Sequence, residues 1–395
     1  MQSNRVLKFF DRYVGIPICI LLSIIKNFRS FLDREVEAQN REFQYQRSSK
    51  SSTGVPNKIL FIQLSALGDT ILAVPTIRAI RLRLPNAELS FLASPTNLSY
   101  LERCPYIDQK IPFHYPLYQL IQMLRRERFD WVIDLEHWSR FSALLAYTTG
   151  ASRLIGFSAA HQYRHYLFND IVPHTPGKHE VLNFLSVAHE LGCNTDDLKL
   201  DVWIGETEEE WCRNLLAQKH VHPSDLLIVL HPEAGRRGEP RRRWLLEKYV
   251  VLADTLSEQY NARIVLTGAP NEVAVSEWIA ERTKCETVCL AGQTQVNQLA
   301  ALFAMADLVV SGNCGPMHLA AAAGTPVVAI HGPTNSKQWG PWTNRSICLE
   351  SNLPCSPCLN LGFEYACQAL PDGTSPCMHT IGVEDVLRAC DLYLG

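Results

Sequence analysis

The sequence lacks most of the features that would announce a function directly. Its 37 Lys and Arg nearly balance 40 Asp and Glu, for a formal net charge of −3, so no global field attracts nucleic acid and any anion site must be local. No G-x-G-x-x-G follows a first strand and no G-x-x-x-x-G-K-[ST] occurs anywhere, which removes support from dehydrogenase and P-loop NTPase readings. There is no D-x-D motif either. A bilayer span needs ~20 apolar residues, and the uncharged run Tyr13–Ile25 is far shorter. It cannot cross a membrane as a helix unaided. No small-residue cleavage site follows it, so it does not read as a secretory signal. The thirteen cysteines, an odd number without such a signal, point to reduced thiols in a cytosolic setting rather than a disulfide framework.

What is present points to two domains and an extension. A chain of 395 residues exceeds what one hydrophobic core usually serves, and hydrophobic residues at 47% exclude wholesale disorder. Residues 1–50 form the extension, with nine Lys and Arg against five Asp and Glu. A helix after Pro17 would stack Ile18, Leu21, Leu22, Ile25 and Phe28, with Lys26 and Arg29 facing anionic lipid heads. Two readings stand open: an interfacial membrane helix, or a helix docked on the protein's own body. The linker Ser48–Asn57 follows.

From Lys58 onward, short β-rich runs alternate with helical stretches, which predicts α/β architecture with parallel sheets. The clearest strands are Ile59–Leu64, Glu88–Ala93 and Trp131–Asp134. After an acidic connection a second set follows: Leu226–Leu230, Arg263–Thr267, Thr287–Leu290, Leu308–Ser311 and Val327–Ile330. Two similar halves emerge, over 57–205 and 206–395, and sites in such sheets form beyond the carboxyl ends of the strands.

Four groups of residues sit at such places. In LSALGDT, Ser65 and Gly68 permit a tight strand-to-helix turn, and Asp69 falls at the helix start, where it serves as an N-cap or as a base toward an acceptor hydroxyl. In SGNCGPMHLAAAAGTPVVAIHGPT, Gly312 and Gly315 allow close backbone approach, and the helix opening at Gly315, Pro316 and Met317 suits a diphosphate. His318 follows as a sugar or phosphate contact, or as a structural imidazole. The arginines Arg236, Arg237, Arg241, Arg242 and Arg243 follow a strand end, where guanidinium groups grip phosphate, and Glu272 sits where a carboxylate binds ribose hydroxyls or opens a helix. Cys355, Cys358, Cys367 and Cys377 lie in a Pro- and Gly-rich loop, 355–377. They are candidates for a structural zinc, though their spacing is not that of a standard finger, and free thiols are the alternative.

Together, LSALGDT, the following Pro75-Thr76-Ile77-Arg78-Ala79, and GPMHLAAAAGTPVVAIHGPT with its trailing Trp339-Gly340-Pro341-Trp342 resemble glycosyltransferase family 9, the ADP-heptose:lipopolysaccharide heptosyltransferases. The resemblance spans about residues 57–390. It implies a GT-B architecture: two Rossmann-like domains facing a central cleft, acceptor bound mainly by the first and nucleotide sugar by the second. Asp69 matches the family's catalytic base. Arg242 and Arg243, before Trp244, match its basic residue for the phosphates, and Gly315, Pro316, Met317 and His318 match its donor motif. Where the family has Asp-Ser/Thr-Gly, this chain has Asn313-Cys314-Gly315; the Asn keeps hydrogen-bonding capacity but loses the charge. The implied reaction is inverting transfer of heptose from ADP-heptose to a lipopolysaccharide core or related lipid-linked glycan, at the cytoplasmic face of the inner membrane and without a metal cofactor. A different nucleotide sugar, or a non-catalytic membrane-associated binding role, are the rival readings.

Overall fold

A computed structural model describes residues 11, 13–24, 55–64, 66–113, 116–233, 240–359 and 365–395. Ser65, Lys26, Arg29, Arg236 and Arg237 lie outside them, so the roles expected of these side chains have no structural counterpart below.

Two six-stranded parallel sheets form the body. The first contains β1 (Lys58–Gln63), β2 (Glu88–Ala93), β3 (Gln109–Pro112), β4 (Trp131–Asp134), β5 (Arg153–Ser158) and β6 (Asp170–Pro173), in the order β3-β2-β1-β4-β5-β6. The second contains β7 (Leu227–His231), β8 (Arg263–Leu266), β9 (Thr287–Cys289), β10 (Leu308–Gly312), β11 (Val327–His331) and β12 (Ser346–Glu350), in the order β12-β11-β10-β7-β8-β9. Counted within each half, both sheets have the doubly wound order 3-2-1-4-5-6, the arrangement that opens a crevice where the winding reverses. The reversal falls between β1 and β4 in the first half and between β7 and β10 in the second. Register there is continuous, Ile59 pairing with Trp131 and Leu308 with Ile228.

Sequence and burial agree in the central strands. LIVLH of β7 and VVAIH of β11 are buried throughout, as unbroken apolar runs are when helices cover both faces of a parallel sheet. The connection between the halves is strapped to the first by Arg78, whose guanidinium donates to Asp201 at 2.5 Å and to the carbonyls of Asp197 and Lys199. Trp203 packs its ring against Tyr100 and Tyr106. The Trp342 indole then donates to the Leu198 carbonyl, tying the second half to that connection.

The segment 15–24 is helical and docks on the first half by one face only. Gly15 lies so close to Arg140 that a β-carbon there would sit 3.1 Å from the Arg140 Cβ. Cys19 is wholly buried, and Leu22 packs against the same cluster. Asp11 pairs with the Arg140 guanidinium at 3.0 Å and accepts from the backbone amides of Arg140 and Phe141, which open the helix Arg140–Thr148. The opposite face leaves Tyr13, Val14, Ile18, Ile20, Leu21 and Ile24 exposed. Among the described residues, no helix is long and apolar enough to cross a membrane.

Candidate active site

Two helix beginnings from the two halves meet face to face. Beyond β1 the chain enters the helix Leu67–Leu72 through Ala66, which has φ 65°, a conformation that costs an alanine energy and is tolerated where the surroundings impose it. This corrects two sequence expectations. The left-handed residue of the turn is Ala66, and Gly68 is already helical. Asp69 is not the N-cap: it sits in the first turn, where its charge suits the helix dipole.

The reason for glycine at 68 lies in the other half. A β-carbon on Gly68 would come within 2.8 Å of the His318 ring, and one on Gly315 within 3.1 Å of the Leu67 Cβ and 3.3 Å of the Gly68 amide. Two missing side chains thus let the helices Leu67–Leu72 and Gly315–Ala322 touch at their N-termini. That contact sets half-buried Asp69 beside the donor-motif helix.

The structure brings most of the remaining candidates to the second half's reversal point. The helix at Gly315 begins after Cys314, and no side chain caps its amides, so its N-terminus is suited to an anion. Met317 is buried beneath it. Burial pushes the Cys314 thiol up to about 12, and the nearby carboxylates of Glu272 and Glu233 add to the rise; it stays a neutral thiol. The same effect places Glu272 at this rim. The Glu272 carboxylate accepts from the Ala269 amide at 2.7 Å, and Glu272 holds the N-cap position of the helix Val273–Ala280 without capping it by its side chain. Asn313 is buried, and its amide group donates to the Trp339 carbonyl at 2.9 Å. One of its two amide hydrogens is thereby committed to the protein.

The arginines divide. Arg243 forms an ion pair with Glu233 at 2.9 Å. Arg241 lies over the Tyr365 ring and donates to the Cys367 carbonyl at 2.6 Å. Arg242 lies near enough to His331 to depress its basicity, and no ion pair among the described residues engages it.

A row of uncharged imidazoles crosses the seam. Burial lowers His318 to about 3 and His331 to about 4, each helped by neighbouring positive charge or another imidazole: His179 and His331 beside His318, Arg242 beside His331. His179, from the first half, bonds the Gly340 carbonyl at 3.1 Å. The sequence reading did not single out His179. Its only signal was a His-Glu pair at the start of a helix, the place where side chains from one domain reach the other.

All thirteen cysteines are unpaired. Burial raises the Cys377 thiol to about 11, and the thiols of Cys358, Cys367 and Cys355 raise it further, which puts the four in one neighbourhood.

Two doubly wound domains whose helix beginnings at Leu67 and Gly315 meet across the seam have the architecture of a GT-B glycosyltransferase. The model of glycosyltransferase family 9 (heptosyltransferase) matches residues 117–367, and the chain belongs to that family. It is 25% identical over 301 residues to the lipopolysaccharide core heptosyltransferase OpsX of Haemophilus influenzae, covering 74% of this chain and 84% of that protein. A family 9 glycosyl transferase structure from Veillonella parvula superposes with a TM-score of 0.71 at 22% identity, over 86% of this chain and 97% of the other. The ADP-heptose lipopolysaccharide heptosyltransferase II of Escherichia coli gives 0.69 at 23%, over 85% and 98%.

Proposed function

We propose that this glycosyltransferase moves heptose from ADP-heptose to a lipopolysaccharide core or related lipid-linked glycan, with inversion at the anomeric carbon. The observation that carries the reading is the contact of Gly68 with His318, which sets Asp69 beside the Gly315 helix. In this reading the Asp69 carboxylate takes the proton from the acceptor hydroxyl as the new bond forms. The Gly315 helix N-terminus, Arg242 and Arg243 stabilise the departing diphosphate, and Glu272 takes the ribose. Pro316 starts the helix with its fixed φ and has no amide hydrogen to leave unpaired. Relatives named for lipopolysaccharide heptose transfer support the substrate class.

Transfer in this scheme needs no magnesium, because helix amides and guanidinium groups carry the charge of the leaving group. The four late thiols have no part in this scheme, and among the described residues they do not draw together as a metal-ligand group. The acceptor's lipid gives the exposed face of helix 15–24 a role at the cytoplasmic surface of the inner membrane, and its apolar residues support that placement.

One observation favours a second reading of the donor: Asn313 stands where the family motif has an acid, and one of its two amide hydrogens is already given to the Trp339 carbonyl. Incubating the purified protein with a panel of nucleotide sugars and truncated core acceptors, read by mass spectrometry, separates the two. Heptose transfer from ADP-heptose is expected. Transfer of another sugar alone overturns the donor, and no transfer or donor hydrolysis at all overturns the enzyme reading.

A further inference from the structure

One cluster of chemistry-bearing side chains lies outside the machinery above. His137 follows β4, His174 directly follows β6, and Glu180 opens the helix Glu180–Glu190. All three are buried. Their ligand atoms lie within 4.8 Å of one another. The His174 Nε2 is 3.0 Å from both Glu180 oxygens, and the His137 Nε2 is 3.8 Å from Oε2. Ligands bound at about 2.0–2.1 Å around a tetrahedral ion stand roughly 3.4 Å apart, so the two carboxylate distances lie close to that spacing and the widest separation in the cluster must close by about 1 Å on binding.

The cluster is chemically incomplete as it stands. Neither ring nitrogen of His137 meets a partner with good hydrogen-bond geometry, nor does the Nδ1 of His174; the Leu135 carbonyl lies close enough to the His137 ring to favour its protonated form. Buried polar atoms of this kind are rare and costly, and each asks for an explanation. Glu180 is oriented for a ligand on one side: its Oε1 accepts from the Gln338 amide at 2.6 Å and lies 3.4 Å from the Asn183 amide, while Oε2 faces both imidazoles. The nearby guanidinium of Arg164 is committed to Asp134 and to the Glu136 carbonyl. Trp138, Phe157, Phe184 and Trp339 pack around His137.

We propose that His137, His174 and Glu180 form a site for a borderline transition-metal ion such as zinc or iron(II), with Gln338 and Asn183 as the hydrogen-bonding support of its carboxylate. The ion neutralises the buried carboxylate and gives the His137 Nε2, which faces Oε2 without a hydrogen bond, a partner. Its place is also informative. Gln338 belongs to the second half and holds the Gly177 amide as well, so the metal fixes the 174–180 segment where it clamps the two domains. Its role is to position the seam, away from the reacting atoms.

The test uses the full chain carrying Cys355→Ser and Cys358→Ser, stripped of metal, so that the four late cysteines cannot assemble a thiolate site and any binding by the remaining thiols shows as a charge-transfer band. Titration with cobalt(II) alone is expected to fill one site per chain, with visible ligand-field bands and no thiolate charge-transfer band, and zinc alone is expected to raise the melting temperature. His137→Phe keeps the aromatic packing and cannot ligate; it should abolish the cobalt bands and the zinc-dependent shift while melting cooperatively without metal. Glu180→Gln provides the second probe and should weaken cobalt binding by 10-fold or more. If the cysteine variant binds no metal, the triad is a hydrogen-bonded histidine–carboxylate cluster and the proposal fails. Undiminished cobalt binding by His137→Phe overturns it equally.

Discussion

At Asp69 a single oxygen-for-nitrogen exchange separates two accounts of the residue. The Asp69→Asn variant keeps the volume and the first-turn position, and only the base is lost, so kcat should fall ~100-fold or more while ADP affinity stays close to normal. Steady-state kinetics beside calorimetry checks this; near-normal turnover would reduce Asp69 to a helix-dipole charge. The arginines are tested as a pair. Arg242→Ala with Arg243→Ala should weaken ADP binding by about 10-fold or more, because charge-assisted contacts to phosphate are lost, and unchanged calorimetric affinity would move the phosphate site elsewhere. The buried imidazoles give a pH prediction of definite sign. His231 and His331 are lowered to about 4 and His318 to about 3 from 6.5, by burial first. Near pH 5 the unfolded chain therefore holds about three more protons than the folded one at these sites, and stability rises with pH there. The contribution is complete above pH 6.5 and is lost as pH falls from 6.5 toward 4 and 3. Melting temperatures that stay flat between pH 7 and 5 would contradict it. What the sequence made legible at Asp69 and His318 was their place in the first turns of helices that follow β1 and β10. Gly68 was legible as a glycine but not for its reason, since a ring from 250 residues away defines the space it leaves.

Elements were read well where they were rich in β-branched and apolar residues, and poorly at the edges. Glu88–Ala93 and Trp131–Asp134 coincide with β2 and β4, and the central strands of the second sheet are displaced by no more than a residue or two at either end. Four strands went unread. QKIP of β3 and DIVP of β6 are four residues long and end in proline, which suits the outer strands of a sheet and resembles a turn in sequence. RLIGFS of β5 is interrupted by Gly156, whose missing side chain makes room for the Phe168 ring. SICLE of β12 is an edge strand with only intermediate burial. The N-terminal helix docks on the protein through Gly15 and Cys19, as the second reading expects, and leaves Ile18, Leu21 and Ile24 exposed on its other face. Deleting residues 1–50 should therefore do two things: lower the melting temperature, because the Asp11–Arg140 pair and the Cys19 contact are lost, and release the protein from anionic liposomes. Activity on a soluble acceptor fragment should fall less than activity on lipid-embedded acceptor. A truncated protein that still floats with the liposomes would remove the helix from the membrane surface.

At the scale of the whole molecule, the two halves share one strand order, and each has its own reversal point, but function depends on how they face each other. No local pattern encodes that facing. It rests on Gly68 against His318, Gly315 against Leu67, Asn297 donating to the Ser99 carbonyl at 2.9 Å, and Gln338 reaching Glu180. Each contact joins residues more than 150 positions apart, so the sequence shows the partners without showing the pairing. Gly68→Val isolates the effect of this seam. A helical residue tolerates valine with little backbone strain, yet its β-carbon would stand 2.8 Å from a buried His318 ring that has no room to retreat. Both domains should remain folded, since each sheet has its own buried layers. ADP should still bind, because the phosphate and ribose candidates all belong to the second half. The seam should open instead, carrying Asp69 away from the bound donor, and a displacement of about 1 Å in such a geometry is enough for a ~100-fold loss of kcat. Small-angle scattering should show a larger radius of gyration in the ADP-bound variant than in the ADP-bound parent. Full turnover with the parent's radius would mean that the contact of the two helix beginnings is incidental to transfer.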